Sequence, residues 1–298
     1  MTDATRTGSI STAPTVRRTA MRKATRERLG KAATYLILSV LCVATVLPFL
    51  WTISSSLKGP GEVFDYPPRW IPHPAHWENF TTAWNRVPFG RFLLNSTFIA
   101  CSVVFLRLLT SSLAAYAFAR MRFPGRDAMF MLYLGTLMIP GQVTIIPRFI
   151  LIRYLHWLDT YTAMILPGAF SAFGTFLLRQ FFLTLPYELE DAARIDGCSR
   201  LGVYWHIILP LSRPALVALG IFTFEGEWNS FLWPLIVANN PLKMPVQVGL
   251  AFFRGMYSTE WEIMLAGTLI ALIPTLIVFA AGQRYFTKGI ALSGLGGR

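Results

Sequence analysis

Six long runs of apolar residues constrain this chain more than any other feature: 33–53, 93–119, 128–152, 162–183, 215–237 and 263–282. About 20 such residues suffice to cross the hydrocarbon core of a bilayer as a helix. The runs are blocks, with no alternation of period two, so the sequence predicts an all-α polytopic membrane protein with six transmembrane helices. Composition agrees, because 54% hydrophobic against 14% charged residues leaves too little polar surface for a soluble domain of this length. The third and fifth runs are the least regular. One carries Pro140-Gly141-Gln142 and the other Glu225 and Glu227.

A formal net charge of +12 would suit a nucleic-acid binder, but its distribution along the chain argues for topology instead. With six crossings and both termini on one side, eighteen Lys and Arg residues fall on the side of the termini and eight on the other. The positive-inside rule then places both termini in the cytoplasm of a multi-pass cell (plasma) membrane protein. Residues 1–32 form a basic tail whose first thirty residues, rich in Thr, Ser, Arg and Ala, suggest disorder. Its arginines and Lys23 are suited to anionic lipid headgroups. A signal peptide does not fit, since the first apolar run is long and no A-x-A site follows it. The transmembrane domain therefore spans 33–298. Cys42, Cys101 and Cys198 are too few and too scattered for a disulfide framework or a metal site.

Between the first two runs, residues 54–92 carry Pro60, Pro67, Pro68, Pro72 and Pro74 interleaved with Trp70, Trp77 and Trp84. Proline at this density resists regular structure, and tryptophan favours the membrane–water interface. The segment reads either as an interfacial loop or as a docking surface for an external partner. In the third run, Pro140, Gly141 and Pro147 interrupt the helix, and such breaks persist only where protein or a water-lined cavity satisfies the freed backbone. No internal repeat is visible.

Loop 184–213 differs from the others. It opens Pro186-Tyr-Glu-Leu-Glu-Asp-Ala-Ala-Arg-Ile-Asp-Gly197, with proline at a helix start, acidic residues in the first turns and glycine where a helix should end. A helix of about ten residues is too short to stand alone in water, so it packs either on the chain's own helix ends or in a groove on a partner. Leu189, Ala192, Ala193 and Asp196 share a face by spacing, and a second short helix runs from about Ser199 to Leu209-Pro210.

Asp191-Ala192-Ala193, Gly197, Ile207, Leu209 and Pro210 reproduce the spacing E-A-A-x3-G-x9-I-x-L-P, and the loop resembles that of binding-protein-dependent ABC importer permeases. Asp191 stands where that family has Glu. Ala115-Tyr-Ala-Phe-Ala-Arg-Met-Arg-Phe-Pro-Gly125, Pro140-Gly-Gln-Val, Glu227-Trp-Asn-Ser-Phe-Leu-Trp-Pro234 and Gln283-Arg-Tyr-Phe resemble the carbohydrate-uptake subgroup, while the tail 289–298 departs from it. The resemblance implies a type I ABC importer permease fold. It also implies two ATPase subunits, a second homologous permease subunit and an extracytoplasmic solute-binding protein as partners, with a sugar or oligosaccharide as solute. Glu190, Asp191, Ala192, Ala193, Asp196 and Gly197 would then form the helix that couples to an ATPase. The chain has no G-x-x-x-x-G-K run for ATP, so it reads as a transport subunit, not an enzyme, with no cofactor of its own.

Charges inside the runs are costly in lipid and mark interior or water-facing positions. Arg107 lies centrally in the second run. Glu225, Glu227 and Asn229 lie near or within the fifth, and Trp228 and Trp233 could stack on sugar rings, so these five are candidates for the solute path. Spacing suggests that Arg107 pairs with Glu225, bracketed by Asn229 at i+4, or else lines water at the centre of the path. An ion-coupled secondary transporter using Arg107, Glu225 and Glu227 is the alternative, although it leaves the 184–213 loop without a role. The four histidines are scattered and suggest no metal centre.

Overall fold

A computed structural model describes the backbone of residues 15–254 and 259–295, and the side chains of 29–254 and 259–283. The described residues are helical, with no strand beyond an isolated bridge between Arg254 and Thr259. Contacts divide the chain into two units, residues 1–54 and 55–298.

The first unit is built on α1, Thr15–Ser56, which contains the apolar stretch Leu29–Ser56 with mean hydropathy 2.4. The helix begins inside the tail for which composition suggested disorder. Ala20, Arg22, Lys23, Ala24, Arg26 and Glu27 are all strong helix formers. Residues 1–14 lie outside the described residues.

In the second unit, α2 (Glu78–Arg86) leads into α3 (Phe89–Arg120), a 32-residue helix about 48 Å long at 1.5 Å per residue. Next come α4 (Arg126–Gly135), α5 (Ile145–Tyr154), α6 (Tyr161–Ile165) and α7 (Ala172–Leu183). A further group comprises α8 (Glu188–Ile195), α9 (Arg200–Val203), α10 (Leu209–Leu211) and α11 (Arg213–Trp228). The last are α12 (Leu232–Val237), α13 (Val246–Ala251) and α14 (Trp261–Leu295). Among the described residues, four helical stretches are long and apolar enough to cross a membrane, and up to six if each of two bent pairs counts as one crossing.

The bends fall at the third run and at the entry to the fifth, the two runs that are least regular in the sequence. Arg126–Met138 and Gly141–Tyr154 meet at 91°. Pro140 removes a donor and pushes Ile139 into extended backbone (φ −84°, ψ 114°). The fifth run does not continue to Val237, because α11 ends at Trp228 and α12 begins only at Leu232. Asn229 helps to end it by donating its side-chain amide to the Glu225 carbonyl at 3.0 Å. At its other end, α11 meets Arg200–Leu211 at 76°. A π-turn over Tyr204–Ile208 precedes Pro210, which cannot continue the hydrogen-bond ladder.

Helices α3, α7 and α11 form the bundle, with α14 packed on α11. Two apolar cores lie along it. One gathers Phe89, Phe92, Val103, Phe224, Trp228 and Phe253, and the other gathers Tyr116, Leu178, Phe182, Tyr204, Ile208 and Leu219. Helices α3 and α7 approach closely because small residues face each other. A Cβ on Gly174 would stand 2.7 Å from Ser111 Oγ.

Candidate functional site

The second core ends beneath α8, the helix of the 184–213 loop. Glu188, Glu190 and Asp191 occupy its first turn, where the helix dipole favours negative charge. Gly197 ends it in the left-handed region at φ 84°. There the Cys198 N–H donates to the Ala193 carbonyl at 2.9 Å and the Gly197 N–H to the Arg194 carbonyl at 3.1 Å. This pair of bonds is the glycine-terminated cap that the sequence suggested. Ser199 then starts the second short helix, its Oγ accepting from the Gly202 N–H at 3.1 Å.

Arg120, the last residue of α3, anchors α8. Its side chain is 1% exposed and donates to the carbonyls of Phe182 and Leu185, the latter at 2.6 Å. Its guanidinium lies 4.1 Å from the centroid of the Tyr187 ring. Nε sits 3.0 Å from Glu190 Oε1, close enough for charge attraction but without the alignment of a hydrogen bond. Burial raises the Glu190 carboxyl above its ordinary pKa even though Arg120 pulls it the other way. Above α9, the Tyr116 hydroxyl donates to the Arg200 carbonyl at 3.1 Å, and Ser112 Oγ lies 2.7 Å from the Tyr204 hydroxyl.

The six residues grouped on α8 therefore separate. Glu190 and Ala193 are buried against the chain's own core. Asp191, Ala192, Asp196 and Gly197 are exposed, together with Leu189 and Ile195, the latter 86% exposed. Ala193 does not share the outer face that spacing from Leu189 suggested. The sequence reading missed Arg120 as an anchor. The available signal was an arginine closing the second apolar run within Ala115-Tyr-Ala-Phe-Ala-Arg.

The charged residue inside α3 is also placed. Arg107 Nη2 lies 2.8 Å from Glu227 Oε1, and its Nε donates to the Gly168 carbonyl at 2.7 Å. Thr110 Oγ1 donates to the neighbouring Ala169 carbonyl at 2.6 Å. These carbonyls are available because the 3-10 turn Leu166–Gly168 ends there and the next helix begins only at Ala172, so no helical N–H returns to them. The partner is Glu227, not the Glu225 that the spacing suggested. Glu225 lies about 200° away around the helix and is exposed, and Asn229 binds the Glu225 backbone rather than the guanidinium.

The tryptophans also take definite positions. Trp228 is 1% exposed, stacks on Phe224 at 5.3 Å and donates to the Ala271 carbonyl at 3.1 Å, so it belongs to the core and presents no face to a solute. Trp233 is half-buried, donates to the Ala163 carbonyl at 2.9 Å and lies beneath the Arg148 guanidinium at 5.1 Å. Gln247 on α13 was not anticipated. Its side-chain amide donates to Asn229 Oδ1 at 3.3 Å, tying α13 to the end of α11.

A family model described as "Binding-protein-dependent transport system inner membrane component" matches residues 78–291. The probable ABC transporter permease protein YurM of Bacillus subtilis (strain 168) is 35% identical over 266 residues, covering 88% of each chain. The sn-glycerol-3-phosphate transport system permease protein UgpE of Yersinia pestis bv. Antiqua is 38% identical over 266 residues, covering 86% of this chain and 93% of that one. The arabinooligosaccharides transport system permease protein AraQ of Halalkalibacterium halodurans is 41% identical over 203 residues, covering 68% and 73%. Among solved structures, a chain of a bacterial ABC transporter for import of the acidic polysaccharide alginate superposes with a TM-score of 0.78 at 22% identity, covering 88% of this chain and 98% of that one. That likeness bears on the fold, whereas the family rests on the sequence matches. The chain belongs to the family of inner membrane components of binding-protein-dependent transport systems.

Proposed function

We propose that this chain is one of two permease subunits of an ATP-driven importer, and that it couples to an ATPase through the outer face of α8. The observation that carries the reading is an exposed apolar row, Leu189, Ala192 and Ile195, on a short helix whose inner face is fastened by Arg120. A helix of eight residues has no stability of its own, so its fixed placement comes from those inner contacts. The outer row, flanked by Asp191 and Asp196, suits a groove on a partner. Arg120 joins α8 to the end of α3 and to the carbonyls that end α7. A push on α8 therefore reaches both long helices, and Arg107 with Glu227 links α3 to α11 farther along. Closure of an ATPase dimer would bias this linked bundle between two access states.

The solute is a sugar or a related polyol delivered by an extracytoplasmic binding protein. Names of relatives support this: one belongs to a glycerol-3-phosphate system and one to an arabinooligosaccharide system. A neighbouring solved structure contains an alginate pentasaccharide-bound periplasmic protein. Glu225, Asn229 and the exposed part of Trp233 remain the path candidates on this subunit, with both termini and α8 in the cytoplasm.

Purification of the tagged subunit from its native operon tests the reading. The expected result is a complex with an ATPase whose hydrolysis rises on addition of solute-loaded binding protein. Cysteines introduced at Ser11 and Ser293 are expected to be protected from an impermeant reagent in intact cells. A subunit that transports without any associated ATPase would overturn the proposal.

A further inference from the structure

Beside the break between α11 and α12 lies a pocket of about 270 Å3 lined by Phe231, Gln247, Leu250, Arg254, Met264 and Thr268. Its polar groups come from α13, the segment just after it and α14, and their hydrogen-bonding capacity is only partly spent. Gln247 uses one N–H on Asn229 Oδ1, which leaves its carbonyl oxygen and the second N–H. Thr268 donates to the Met264 carbonyl at 2.8 Å, which leaves its oxygen as an acceptor. Among the described residues no carboxylate lies within ion-pair distance of Arg254, and no carboxylate lines the pocket. Phe231, Leu250 and Met264 supply apolar surface.

The location adds a second argument. Thr268 lies seven residues into α14, about 10 Å along its axis from Trp261. Residues 229–231 next to it are irregular backbone. Within a membrane such backbone is tolerated where it lines a cavity and not where it meets lipid.

We propose that this pocket is a solute-contact site for a hydroxyl-rich solute carrying one negative group, either a phosphate monoester or a uronate carboxylate. The free amide and the Thr268 oxygen read hydroxyls as donor and acceptor. Arg254 pairs with the anion, and Phe231 with its apolar neighbours receives a C–H face. The volume suits one sugar-sized unit and lies just under the lower end of the usual range for ligand pockets, about 300 Å3. The proposal rests on the importer reading above and deepens it by naming the charge of the solute.

The test uses the complete importer with its ATPase and binding protein, reconstituted in phosphatidylcholine vesicles. Uptake is measured with sn-glycerol 3-phosphate, a galacturonate dimer and maltose as probes. The expected result is uptake of one of the anionic probes, which separates the phosphate from the carboxylate source. Arg254→Gln should weaken that uptake about tenfold to a hundredfold in KM, since a charge-assisted contact is lost, while Arg254→Lys keeps most of it. A direct readout places a cysteine at Thr268 after replacement of Cys42, Cys101 and Cys198. A negatively charged thiosulfonate should react there about ten times faster than a positively charged one, and Arg254→Gln should abolish the preference. Equal reactivity with Arg254 in place, or uptake confined to maltose and unchanged in Arg254→Gln, overturns the inference. If the ATPase still co-purifies in that case, the importer reading stands, whereas its loss from the unsubstituted complex defeats the importer reading itself.

Discussion

Removal of the charge on Glu227 should destabilise the bundle, and removal of the charge on Glu225 should not. Arg107 and Glu227 have side chains 19% and 18% exposed and meet at 2.8 Å, with the guanidinium also held by the Gly168 carbonyl. Truncation of one partner of a fully buried pair costs about 3–5 kcal/mol, because the other charge is left unmatched. Residual exposure and the surviving Gly168 contact reduce this to about 2–3 kcal/mol for Glu227→Gln. Glu225 is exposed, so Glu225→Gln should cost under about 0.5 kcal/mol. The assay is a double-mutant cycle on Arg107→Gln and Glu227→Gln. The folded fraction in detergent is followed by size exclusion of a fluorescent fusion across a denaturant series. A coupling of about 2 kcal/mol, roughly 30-fold in the folded ratio, is expected for Arg107 with Glu227 and none for Arg107 with Glu225. The exchange Arg107→Glu with Glu227→Arg should recover part of what each single change loses. Equal costs for the two glutamates, or a coupling near zero for Glu227, would refute the argument.

Three further outcomes follow from the same geometry. At Gly168 a Cβ would stand 3.0 Å from Val103 Cγ1 and 3.2 Å from Glu227 Oε1, so Gly168→Ala should mimic the loss of the ion pair in the same denaturant assay. Gly197 has open space around a Cβ but a positive φ. Gly197→Asn should therefore keep solute-stimulated ATP hydrolysis, while Gly197→Val, costing about 1–2 kcal/mol of backbone strain, should lower it. The exposed Ala192 and the buried Ala193 should separate function from folding: Ala192→Arg yields a stable subunit that no longer retains the ATPase on a column, and Ala193→Arg yields little folded subunit.

Glu190 supplies a pH-dependent outcome. Its folded pKa is raised, so the burial penalty is fully present above that raised value and disappears as pH falls to the ordinary carboxylate pKa. Wild type should gain thermal stability relative to Glu190→Gln as pH is lowered through this window. A gap between the two proteins that stays constant with pH would remove the attribution to Glu190.

Legibility in the sequence followed the range of each interaction. The apolar runs, the cap at Gly197 and the start at Ser199 are set by neighbours within a few residues, and the chain written in order displays them. Helix direction at Pro140 and at Asn229 was visible only as irregularity, because the angle of a break depends on what receives the freed carbonyls. The error over Arg107 has the same origin. Spacing along α11 can say that Glu225 and Glu227 point apart, but not which one faces α3. That choice is set by the way Leu166–Gly168 opens α6 and offers its Gly168 carbonyl to the same guanidinium. Trp228 was misassigned for a related reason. An aromatic in an apolar run suits a sugar face and a helix interface equally well until Phe224, one turn earlier, and the Ala271 carbonyl on α14 claim both its ring and its N–H. On α8 the alternation of inward Glu190 and Ala193 with outward Asp191 and Ala192 follows from one distant contact, the arginine that ends α3. The residues that connect one element to another are thus those for which local pattern carries least information. In the coupling proposed for α8, they are also the residues through which a push would reach the bundle.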